Sequence, residues 1–68
     1  MPEKWTGDLV ARMHINRVTM VELGKELGIS KNYVGMIING VRRPAGAQER
    51  FETALERILQ RRAEAQGA

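Results

Sequence analysis

The chain has 68 residues, 43% hydrophobic and 28% charged, with 11 Lys and Arg against 8 Asp and Glu, giving a net charge of +3 and a pI near 10.0. That length allows one domain that buries about 60% of the surface its unfolded form exposes, and the composition excludes a low-hydrophobicity disordered tail. The absence of cysteine excludes disulfides and thiolate metal sites and fits a reducing compartment, while the basic balance suits a polyanionic partner.

Met1 to Trp5 reads as a short arm, with Trp5, the only tryptophan, placed to close the bottom of the core; a ligand-stacking role is the alternative. The arm lacks the apolar core of a signal peptide, and no apolar run approaches the roughly 20 residues of a membrane span, so a cytoplasmic protein with no membrane contact is expected. Thr6 can cap a first helix over about 7–16, with Asp8 in its first turn. Leu9, Val10 and Met13 recur at helical spacing and mark its buried face. His14 is the only histidine; without a second histidine or a cysteine it reads as a surface residue rather than a metal ligand or base.

Two hydroxyl residues, Thr19 and Ser30, then announce two short helices, over 20–27 and 31–38. Each is flanked by aliphatic residues at staple spacing, Val18 with Leu23 and Ile29 with Val34, and Glu22 completes a capping box with Thr19. Gly28 supplies the positive φ that the corner between them needs, and Asn39-Gly40 is a left-handed stop signal. Leu23, Leu27, Val34, Ile37 and Ile38 form the inward faces, leaving Lys31, Asn32, Gly35 and Met36 outward. No acidic residue occurs between Leu27 and Gln48, where Lys31, Arg42 and Arg43 lie.

Pro44 marks a loop, after which a fourth helix is expected over 47–63, with residues 64–68 frayed. Its apolar stripe, Ala47, Phe51, Ala54, Leu55, Ile58 and Leu59, is wide. Ala54, Leu59 and Ala63 are candidate dimer contacts, or else they close the monomer core. The expected fold class is all-α, four helices in one compact domain over 1–68.

The stretch from Thr19 to Pro44 resembles the helix-turn-helix of the Xre family, the lambda-repressor and Cro type of small DNA-binding domain. The match is carried by Thr19, Glu22-Leu23, Leu27-Gly28-Ile29-Ser30, Tyr33-Val34, Ile37, Asn39-Gly40, Arg42 and Pro44, and extends loosely over residues 6 to 60. The resemblance implies a lambda-repressor-like bundle with its helix-turn-helix unit at 19–40. It implies a sequence-specific transcriptional regulator, a repressor of phage or mobile-element type, that inserts the helix over 31–38 in the major groove of a double-stranded DNA operator. Carried over by position, it makes Lys31, Asn32 and Met36 candidates for base contacts, with Tyr33 at the margin, and Thr19, Ser30, Asn39, Arg42 and Arg43 candidates for phosphates. It also implies a homodimer on half-sites about 34 to 36 Å apart.

The chain departs from the family pattern in several places. Met20 stands where a glutamine is common, Gly24 where alanine is usual, and Gly35 and Met36 leave the centre of the third helix poor in hydrogen-bonding groups. Met13 and Ile38 occupy positions that often hold an arginine–glutamate pair, and they are expected to touch. Each candidate also has a plainer reading: Lys31 as surface charge, Asn32 as first-turn filler, Met36 as a boundary residue, Tyr33 as a ring packed on the loop. The alternative function is a protein-interaction or inhibitor module using Met20 and Met36, since methionine suits adaptable contacts. RNA binding lacks an aromatic stacking platform. No enzyme motif is found, and no cofactor or metal is expected.

Overall fold

The computed structural model describes residues 3–67, which form four α-helices and no strand: α1 (Lys4–Ile15), α2 (Met20–Leu27), α3 (Lys31–Ile38) and α4 (Ala47–Gly67). α2 packs on both α3 and α4, and α1 packs on α4 and α3. Leu9 and Met13 of α1, Val18 of the connector, Leu23 of α2, Val34, Ile37 and Ile38 of α3, and Ala47, Phe51, Ala54, Leu55 and Ile58 of α4 form one buried core. Trp5 packs against it, its ring edge-on to Phe51 with centroids 5.8 Å apart. Met13 and Ile38 are both buried in that core.

The first three helices end by the same device. The chain enters a left-handed residue, Arg17 (φ 56°), Gly28 (φ 76°) or Gly40 (φ 78°). The next amide then reaches back to the last turn: Val18 to the Met13 carbonyl (2.8 Å), Ile29 to Gly24 (2.9 Å) and Val41 to Met36 (2.9 Å). Two of the three stops use glycine, which takes positive φ without strain. Arg17 carries a Cβ there, which costs about 1–2 kcal/mol.

Several boundaries differ from those expected. α1 begins at Lys4, not at 7, so Trp5 lies within the helix; Met1 and Pro2, the rest of the expected arm, lie outside the described residues. Thr6 does not cap α1. It is buried inside the helix, where its hydroxyl donates to the Glu3 carbonyl (2.6 Å), so a polar side chain enters the core with its hydrogen bond satisfied. Asp8 is thereby moved out of the first turn and pairs with Lys4 one turn back (2.9 Å). Val10, expected on the buried face, is 36% exposed. The left-handed residue of the Asn39-Gly40 stop is Gly40; Asn39 keeps φ −85°. α4 continues helically through Gly67, so residues 64–67 are not frayed, and Ala68 lies outside the described residues. No described helix is long and apolar enough to cross a membrane.

Candidate functional site

The corner between α2 and α3 is built tightly from local signals. Thr19 Oγ1 accepts the amide of Glu22 and Ser30 Oγ accepts that of Tyr33, both at 3.1 Å, so each helix start has a satisfied third-position donor. Among the described residues neither hydroxyl donates a hydrogen bond, so each has a hydrogen to offer to an outside acceptor. Gly24 is buried at the closest approach of the corner. A methyl group built on it would lie 2.7 Å from the Ile29 carbonyl oxygen and 3.5 Å from Val34 Cγ2. The corner is therefore closed more tightly than alanine permits.

The two sides of α3 are sharply different. Val34, Ile37 and Ile38 are buried, whereas Lys31, Asn32 and Met36 are exposed, Met36 at 40%. Tyr33 is half-buried and packs against the core. Thr19, Ser30, Asn39, Arg42 and Arg43 are all exposed along the two ends of the corner and its exit loop. The side chains of Lys31 and Arg42 have no ion-pair or hydrogen-bond partner among the described residues. Arg43 differs: its Nε lies 3.8 Å from the Glu3 carboxylate, whose other oxygen accepts from the Trp5 indole (2.7 Å). A phosphate at Arg43 would have to compete with that carboxylate.

Sequence reasoning pairs Glu22 with the Thr19 amide in a capping box. The structure gives only half of it, because the Glu22 carboxylate is held by Arg62 of α4, whose Nη2 reaches both oxygens (2.8 and 3.0 Å). A guanidinium outcompetes a neutral amide for a carboxylate. Arg62 also donates to the carbonyls of Asn16 (2.5 Å) and Arg17 (3.2 Å), the orphan acceptors at the end of α1. One residue thus joins α1, α2 and α4 just behind the corner. Arg61 pairs with Glu26 of α2, and Arg12 of α1 with Glu56 of α4 (2.6 Å). No local pattern marks Arg62; its partners lie 40 or more positions away.

The dimer candidates separate. Ala54 is 4% exposed and belongs to the core, so it is not a surface residue. Leu59 is half-buried against that core, and Ala63 is exposed. Met20 is likewise half-buried and packed on the core, which leaves Val21 (46%), Met36 (40%) and Val41 (70%) as the exposed apolar residues of α2, α3 and the exit loop. A depression of about 460 Å³ sets Glu3, Glu49 and Glu52 against Arg42 and Arg43 and is a surface of mixed sign. Among the described residues no three Asp, Glu or His side chains are grouped to hold a metal.

Comparison with known proteins found no match: no family model, no curated protein and no solved structure is significantly similar to this chain.

Proposed function

We propose that the chain is a sequence-specific double-stranded DNA-binding regulator of the lambda-repressor and Cro type, with α2 and α3 as its helix-turn-helix and α3 presented to the major groove. The observation that carries this reading is the exposed strip of α3: Lys31, Asn32 and Met36 face outward on a helix whose opposite side is buried, and neither Lys31 nor the nearby Arg42 is neutralised within the described residues. Lysine can donate to guanine O6 and N7, asparagine can pair with adenine, and a methionine methyl can meet a thymine methyl. Thr19 and Ser30 have hydroxyl hydrogens to offer to phosphates, and the exposed Asn39, Arg42 and Arg43 are the further phosphate candidates. One such domain spans few base pairs, so the reading includes a homodimer on an inverted repeat, with repression by occupancy of the operator.

The test is selection from a pool of random duplexes at two salt concentrations, with sequencing of the bound fraction. The expected result is an enriched inverted repeat with half-sites about one helical turn apart and affinity that falls steeply with salt. Salt-sensitive binding without an enriched sequence would overturn specific recognition. A second reading, a protein-interaction module, is favoured by the exposure of Val21, Met36 and Val41. It predicts a protein partner that is retained when Lys31 and Arg42 are replaced.

A further inference from the structure

Glycine inside a helix is destabilising unless something requires the missing side chain. α1, α2 and α3 each carry one, at Gly7, Gly24 and Gly35. The requirement at Gly24 is internal, since a methyl group there would overlap the Ile29 carbonyl at 2.7 Å. At Gly35 no such requirement exists: a methyl group built there meets no atom within 4 Å, and the residue has no positive φ. Nothing within the described chain asks for glycine at this position. Yet Gly35, itself half-buried, borders the outward strip, one turn from the exposed Lys31 and Asn32 and next to the exposed Met36.

We propose that Gly35 is a dent in the surface of α3 that receives the C5-methyl group of a thymine, with the Met36 side chain packing beside it. The proposal rests on the DNA reading of α3 and says what that helix reads at its middle. Of the groups that base edges offer in the major groove, the thymine methyl is the one that is apolar and projects outward; the others are donors and acceptors that need polar partners. Gly35 and Met36 supply no side-chain donor and only a weak thioether acceptor. Lys31 and Asn32, one turn earlier, supply the polar groups for a neighbouring base pair. A helix shaped this way can approach a thymine closely, whereas a Cβ at position 35 would take the volume of the base's methyl group.

The volume argument permits a test by moving one methyl group from DNA to protein. The duplex that the wild-type chain enriches from a random pool is made twice, with thymidine and with deoxyuridine at every thymine position. Wild type is expected to lose about fourfold in affinity for each buried methyl removed from the DNA. Gly35→Ala is expected to melt about 2–8 °C higher than wild type, to lose about tenfold or more on the thymidine duplex, and to come within about threefold of wild type on the deoxyuridine duplex. Gly7→Ala is the control, because a methyl group at Gly7 also meets no atom within 4 Å. It should leave both affinities unchanged. Wild-type affinity of Gly35→Ala for the thymidine duplex would overturn the dent, and equal losses on both duplexes would overturn its assignment to a thymine methyl; either leaves the DNA reading standing. Failure of the wild type to enrich any duplex would instead sink the DNA reading and this proposal with it.

Discussion

α2 and α3 are helices of equal length with the same kind of start and the same kind of stop, but their polar residues are committed differently. On α2, Glu22 and Glu26 are both tied to arginines of α4. On α3, Lys31 and Asn32 have no side-chain partner among the described residues, and the carbonyl-capping turn that follows leads to Arg42, whose side chain has none either. α2 is the helix that the fold holds in place, and α3 is the helix held out by it. The difference teaches where to look for a ligand: polar groups already satisfied inside a protein stabilise it, and those left open on a rigid element are available to something else.

The comparison can be broken first at Gly24. Gly24→Ala must push the Ile29 carbonyl away and open the corner, and it should cost about 1–3 kcal/mol in chemical denaturation; a variant as stable as wild type would mean that the corner is slack. Next is Arg62→Ala, which leaves Glu22 and the end of α1 without their shared donor. Both members of the ion pair are more than a third exposed, so the expected loss is about 1–2 kcal/mol, and the fully folded fraction should still present α3 unchanged. A smaller effect of opposite sign is expected at the α1 stop: Arg17→Gly relieves the left-handed strain and should stabilise by about 0.5–1 kcal/mol, read as a higher denaturation midpoint at unchanged slope. Smallest in stability, and sharpest for the comparison, is the double change of Lys31 and Arg42 to alanine. It should shift stability by no more than about 0.5 kcal/mol while lowering the slope of log affinity against log salt by roughly 0.9, for the one phosphate that Arg42 no longer neutralises. A large loss of stability in that variant would show that α3 is not held out but held in.

The middle of this protein is legible because its signals are local. Thr19, Ser30, Gly28 and Pro44 act through neighbours three to five positions away, and the bounds of α2 and α3 follow from them directly. The start of α1 misleads for the converse reason. Thr6 has the chemistry of a cap, but it is buried one turn inside the helix, and Glu3, which makes no side-chain cap bond, takes the cap position instead. Ala54 is ambiguous on the stripe because periodicity gives the width of an apolar face without saying how much of it the other helices cover. Arg62 cannot be read at all, since a charged residue near the end of a helix looks the same whether it meets solvent or three distant groups. At the candidate site, exposure of Lys31, Asn32 and Met36 follows from the helical period, whereas the neighbour of Arg43, Glu3, comes from the far end of the chain.

Because Arg62 bonds the Asn16 carbonyl across 46 positions, the end of α1 receives its last donor only after the chain through Arg62 has been made. Long-range closures of this kind are made late, after the local turns and caps have formed. A product cut short before Arg61 would still carry every residue of the outward strip of α3, yet α2 would lack the two arginines that tether it. Such a fragment would display the right side chains on a loosened support. The last turns of α4 thus act on the support of α3 and not on its outward strip.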